Sequence, residues 1–63
     1  MKHGKDFYID DDVTIKCSDT AIFGDHVAID KGFYCTTQLE VGDYVHISSY
    51  CTVIGGKEAS FKM

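Results

Sequence analysis

The chain lacks any apolar run approaching the roughly 20 residues that span a bilayer, and its opening, MKHGKDFYIDDD, has none of the apolar core of a signal peptide. Neither a membrane span nor a secretory leader is expected, and the expected compartment is the cytoplasm. The cysteines lack any CxxC pairing: Cys17, Cys35 and Cys51 are an odd set of three, unlike a secreted disulfide framework. Free thiols in a reducing compartment fit them better. Basic clusters are missing too. With a net charge of −4 and its lysines scattered, the chain offers nothing that attracts nucleic acid or anionic lipid. At 63 residues it is also short of core. A chain of this size buries only about 60% of its unfolded surface and usually needs disulfides, a metal or oligomerisation. With the first two unsupported, a homo-oligomer is expected.

What the sequence has is a repeat. "FGDHVAIDKGFYCTTQLE" (Phe23 to Glu40) aligns with "VGDYVHISSYCTVIGGKE" (Val41 to Glu58), matching Gly24 with Gly42, Asp25 with Asp43, Val27 with Val45 and Ile29 with Ile47 at a constant offset of eighteen. Inside each block apolar residues recur every six: Phe23, Ile29, Cys35, Val41, Ile47, Val53. A second set follows four residues after each: Val27, Phe33, Leu39, Val45, Cys51, with Lys57 breaking the ladder. A period of six divided four and two does not suit an α-helix, whose apolar face repeats at about 3.6. It suits short strands joined by tight turns, three per coil, with equivalent residues stacked in parallel ladders. The glycine after Phe23 and after Val41 leaves room at a crowded corner or permits an unusual backbone angle, and the neighbouring aspartates suit a turn.

Upstream, Ile9, Val13 and Ile15 keep the spacing, but Phe23 comes two residues late. A loop around Cys17 to Asp19 would absorb the difference, stacking Ile9 under Ile29 and Ile47, and Ile15 under Cys35 and Val53. The expected fold is all-β: a single-stranded left-handed parallel β-helix of about three triangular coils. Its expected parts are a partial coil over 7–22, full coils over 23–40 and 41–58, and a tail over 59–63. Met63 would return to the Phe23 and Val41 position through a four-residue insertion after Glu58.

The run "IFGDHVAIDKGFYCTTQLEVGDYVHISSYCTVIGG" is similar to the hexapeptide-repeat acyltransferases, in particular the galactoside and sugar O-acetyltransferases, over roughly Phe7 to Gly56. The resemblance implies a homotrimer of parallel prisms, acetyl-coenzyme A (acetyl-CoA) as co-substrate between subunits and a sugar hydroxyl as acceptor. It covers the first coils of such an enzyme. The family's catalytic histidine, on a protruding segment or in later coils, has no counterpart motif here. A non-catalytic trimeric assembly module is the alternative reading. The C-terminal coil is expected to need a cover, with KEASFKM folding back, exchanging between neighbours or meeting a second trimer.

Single residues sharpen this. His46 falls at an outward position just before inward Ile47, where a neutral imidazole could act as general base on a hydroxyl. It is the candidate catalytic residue, although no orienting partner stands at the eighteen-residue spacing. The bland reading is a surface or subunit-contact histidine. His3 is expected in a disordered terminus, and His26 as a solvated turn residue. His26 and His46, twenty apart, miss the ladder, so no metal site is expected. Cys35 and Cys51 point inward as core filler. Thr36-Thr37 has Ile54-Gly55 one coil later, which rules out a threonine array. Tyr8, Tyr34, Tyr44 and Tyr50 fall mostly outward and read as subunit contacts. Asp10-Asp11-Asp12 reads as a solvated turn.

Overall fold

The computed structural model describes residues 1–56 and 58–63, and Lys57, the expected break in the ladder, lies outside the described residues. Among the described residues nine short strands form three parallel three-stranded sheets. Sheet I holds β1 (Tyr8–Ile9), β4 (Ala28–Ile29) and β7 (His46–Ile47). Sheet II holds β2 (Thr14–Ile15), β5 (Tyr34–Cys35) and β8 (Thr52–Val53). Sheet III holds β3 (Ile22–Phe23), β6 (Gln38–Val41) and β9 (Ser60–Lys62). The chain thus visits the three sheets in rotation, three circuits in all. Strands this short follow from the hexad itself, in which two inward residues are separated by a turn.

The register agrees with the ladders read from the sequence. Ile9 pairs with Ile29 and Ile29 with Ile47; Ile15 pairs with Cys35 and Cys35 with Val53; Phe23 pairs with Val41. The two extra residues of the first circuit are taken up by a 3-10 turn at Ser18–Thr20, closed by Thr20 N–H and Ala21 N–H donating to Cys17 and Ser18 carbonyls. The four extra residues of the third circuit sit elsewhere than expected. Cys35 still faces Val53 at eighteen, while Gln38 faces Ser60 at twenty-two, so the insertion lies between Val53 and Ser60 rather than after Glu58. The Thr36 hydroxyl anchors it, accepting from Gly55 N–H at 2.7 Å and donating to Gly55 O at 2.6 Å.

Both chain ends join the sheets. The segment read as a tail contains β9, which continues sheet III with Leu39 against Phe61 and Glu40 against Lys62. It extends the stack instead of folding over it. At the other end Lys2 bridges to Ile22, and the His3 ring stacks on Phe7 at 4.4 Å. His3 is therefore placed, beneath the Phe23 position, and not in a disordered terminus.

One buried cluster draws on all three sheets: Ala21, Phe23, Val27, Ile29, Phe33, Cys35, Leu39, Val41 and Ile47. The corners carry the unusual backbone. Positive φ occurs at Asp6, His26 and Tyr44 in one corner column and at Asp12, Gly32 and Tyr50 in another. Beside the strands some bonds run from the lower circuit to the upper, as in Ala28 N–H to Val45 O at 3.0 Å, and others the opposite way, as in Phe23 N–H to Lys2 O at 2.8 Å. At these corners the upper circuit donates downward: His26 N–H reaches Lys5 O at 2.8 Å and Tyr44 N–H reaches Asp25 O at 2.9 Å. Gly24 and Gly42 do not take the unusual angle. Gly24 is there for space, since a Cβ would meet Asp43 Oδ1 and the Gly42 backbone. That Asp43 carboxylate accepts Asp25 N–H at 2.7 Å, and Asp25 does the same for Lys5 N–H at 2.8 Å, so each corner aspartate ties two circuits together.

Candidate active site on the outer face of sheet I

Strand alternation puts Tyr8, Ala28 and His46 in one outward row of sheet I. Two residues further along the same face stand Asp10, Asp30 and Ser48. The two rows meet diagonally: His46 Nε2 lies 2.9 Å from Asp30 Oδ2. His46 is well exposed and Asp30 about one-third exposed, so the pair sits at the surface with its carboxylate side sheltered. A carboxylate accepts only, so the neutral imidazole carries its proton on Nε2 and leaves the Nδ1 lone pair free. The orienting partner missing at the eighteen-residue spacing exists at sixteen. The signal that could have found it is the period-two rule applied across the ladder: the residue two beyond His46's stacking partner shares its face.

Asp10 holds the lower end of this face. Its Oδ1 accepts Asp11 N–H at 2.7 Å where the chain bends at Asp11 and Asp12. Nearby Tyr8 has its phenol pushed above the ordinary 10.0, first by the negative charge of Asp10, then by desolvation, a hydrogen bond to Asp10 and the charges of Asp30 and Asp11.

The other candidates stand apart. His26 pairs through Nδ1 with Asp6 Oδ2 at 3.0 Å and stacks against Tyr44 with centroids 4.7 Å apart. It shares neither carboxylate nor face row with His46. Among the described residues no group of three or more His, Cys, Asp or Glu is arranged to hold a metal ion. Cys35 is buried and Cys51 half-buried, each packed with the apolar cluster, and all three cysteines are free.

Two hollows lie away from the His46–Asp30 pair. A groove of about 420 Å³ on sheet III is lined by Thr20, Ile22, Gln38, Glu40, Phe61 and Lys62, and a hollow of about 240 Å³ at the first-circuit end by Met1, Ile9, Val13, Ile15 and Ser18. The groove holds an exposed Lys62–Glu40 contact at 3.8 Å and no histidine. We place the candidate site at His46 because a proton acceptor with an oriented partner defines chemistry, which concavity alone does not.

Comparison of the chain with family models, with curated proteins and with solved structures returns no match. Among the described residues no helix is long and apolar enough to cross a membrane.

Proposed function

We propose that the three sheets are the sides of a left-handed parallel β-helix, and that His46 serves on its outer face as general base in an O-acyl transfer. The observation carrying this reading is the 2.9 Å contact between His46 and Asp30. The repeat phrasing supplies the reaction class: acetyl-CoA as donor, a sugar hydroxyl as acceptor, and a cytoplasmic homotrimer as the working form. Acetyl-CoA supplies the activated acetyl group. Nδ1 of His46 takes the proton of the acceptor hydroxyl as its oxygen attacks the thioester carbonyl, and Asp30 stabilises the imidazolium that forms. The proton then passes to the departing thiolate, with no covalent enzyme intermediate.

The surroundings of His46 suit the acceptor better than the donor. Asp10 and Asp30 line the face, and Lys31, next to Asp30 in the chain, already contacts the Asp12 carboxylate at 3.8 Å. Phosphate groups on the donor would need cations from another surface.

Acetyl transfer from radiolabelled acetyl-CoA to a panel of simple sugars tests the reading. Turnover is expected in the native chain and a loss of roughly 10²- to 10⁴-fold in His46→Ala, with a smaller loss in Asp30→Asn. Native turnover that survives His46→Ala would remove His46 from the mechanism. An inert native chain would favour the second reading, a non-catalytic assembly module, which the openness of the His46 surface supports. Both readings expect a trimer or a multiple of one, so light scattering that reports a stable monomer would count against the assembly itself.

A further inference from the structure

The two ends of the stack carry matching edges. In sheet I the order β1-β4-β7 leaves β1 and β7 outermost, and in sheet II the order β2-β5-β8 leaves β2 and β8. Among the described residues no strand lies beyond them. Open parallel edges offer backbone donors and acceptors to any strand that arrives in register. A second copy shifted along the axis by three circuits, about 14 Å at roughly 4.8 Å per strand spacing, brings its β1 onto β7 and its β2 onto β8. Ile9 then lies over Ile47 and Ile15 over Val53, continuing the two ladders unbroken. Ile9 is 39% exposed and Val53 half-buried, so both ends have apolar surface left to cover. Charge agrees with the same shift. Lys5 N–H donates to Asp25 Oδ1 and Asp25 N–H to Asp43 Oδ1, so these three stand in one corner column. The shifted copy sets its Lys5 over the Asp43 carboxylate. In the column of Asp10 and Asp30 the third circuit has Ser48, so the arriving Asp10 meets no carboxylate directly beneath it. Sheet III adds a conflict. Lys2 bridges Ile22 from below, with Lys2 N–H donating to Ala21 O at 3.0 Å and Phe23 N–H donating to Lys2 O at 2.8 Å. At the other end β9 sets Lys62 on Glu40, which itself pairs with Ile22. Lys2 and Lys62 are thus the same residue type in the same column. The shift by three circuits puts both into one place, beneath Ile22 of the arriving copy.

We infer that a second copy of this chain docks end to end on the third circuit, and that Phe61–Met63 of one copy competes with Met1–His3 of the next for a single rung at the junction. Either segment completes sheet III. β9 can take over the bonds that Lys2 makes to Ala21 and Phe23, or it can lift from β6 and leave the place to Met1–His3. In the native chain joining therefore gains rungs at β7 and β8, while the rung in sheet III is only exchanged. Both copies face the same way, so the contact is heterologous: each joined copy presents a fresh end, and growth is open. A two-fold meeting of two third circuits would set the strands antiparallel and bring no Lys5 to Asp43. The inference stands apart from the acyl-transfer reading, since it uses the ends of the stack and not the outer face of sheet I. Prisms joined side by side into trimers would offer the same ends.

Sedimentation velocity and light scattering of the chain from roughly 5 to 500 μM, a span over which mass action resolves weak association, test the inference. The average mass is expected to climb with concentration without reaching a plateau. Deleting Lys2 and His3, or deleting Ala59–Met63, vacates the contested rung. Each deletion alone should lower the concentration of half-assembly about tenfold, a clear step in affinity. The two deletions together leave the rung empty and should return assembly to the native level. Lys5→Glu should raise that concentration about fivefold, as a surface ion pair allows. It should keep the native melting temperature in dilute solution, because Lys5 serves its own corner through its backbone N–H. Should the Ala59–Met63 deletion fail to fold, the Lys2–His3 deletion and Lys5→Glu still pull assembly in opposite directions. A mass independent of concentration, growth that stops once two ends have met, or single deletions that assemble no better than the native chain would overturn the inference.

Discussion

The second circuit and its two neighbours are built from the same hexads yet bury them differently. In the middle, Val27, Ile29, Phe33 and Cys35 are 0% exposed. Their ladder partners in the first circuit are not: Ile9 is 39% exposed, and Phe7, Val13 and Ile15 are only half-buried. In the third circuit Val45, Cys51 and Val53 are half-buried again, with Ile47 the exception at 3%. Sequence pattern decides which way a residue points. Burial is conferred by having a circuit both above and below, as in repeat architectures generally.

Substitutions along one ladder should break or sharpen that difference. The largest effect is expected from Ile47→Asp, which places an unpaired charge among apolar neighbours and should leave no cooperative unfolding transition in circular dichroism. Exposed Lys31→Asp loses only a surface contact to Asp12, worth about 1 kcal/mol or less, and should fold. Next comes the Val13, Phe33, Cys51 column. Phe33→Ala should cost about 3–5 kcal/mol in urea unfolding, whereas Val13→Ala, half-exposed already, should cost about 1 kcal/mol or less. Equal losses at both positions would mean that the end circuits are covered in solution as fully as the middle one.

Glycines give a finer version. Gly24→Ala would press its Cβ against Asp43 Oδ1 and the Gly42 backbone at 2.8 Å, while the same change at Gly42 meets only Met63 O at 3.4 Å. Gly24→Ala should therefore destabilise by about 1–3 kcal/mol and Gly42→Ala by far less, read from melting curves of the two variants side by side.

The fold was legible where apolar residues mark the ladder, and illegible where they do not. Ile9, Ile29 and Ile47 announced their stacking because a branched aliphatic recurs at a fixed place. The same corner and strand begin at His3-Gly4-Lys5-Asp6, but polar His3 stands where Phe23 and Val41 stand, and a search for apolar recurrence passes over it. The place of the insertion before Ser60 is not legible, because Gly55 and Gly56 carry no side chain to mark the register. His46 was legible as an outward residue. Its partner was not, because Asp30 belongs to the adjacent row, and a constant eighteen-residue offset finds only residues directly above one another. The left-handed corners at Tyr44 and Tyr50 run against residue preference altogether, so a reading from preference could only point to the glycines instead.

The smallest effect concerns a residue whose behaviour should depend mainly on its own circuit and little on stacking. Tyr8 stands in the exposed first circuit, 54% open to solvent. Its phenol is held above the ordinary 10.0 chiefly by Asp10 in its own circuit. The neutral phenol donates a hydrogen bond to that carboxylate, whereas the phenolate would face the negative charges of Asp10, Asp30 and Asp11. In the unfolded chain the phenol ionises at its ordinary value, before the folded one does. Tyr8 thus contributes stability that is fully present below about pH 10 and is lost as the pH rises through the raised folded value. Alkaline titration of phenolate absorbance, taken as the difference between the native chain and Tyr8→Phe, should show Tyr8 ionising above 10.0. Asp10→Asn should move it back toward that value, since it removes the largest cause. The ladder around it should be undisturbed, because Asp10 contributes to the stack through its backbone N–H, which donates to Ile29 O at 2.9 Å. A Tyr8 titration unmoved by Asp10→Asn would mean that the outer face of the first circuit is arranged differently from its backbone register, and the diagonal contact of His46 with Asp30 one circuit higher would need the same scrutiny.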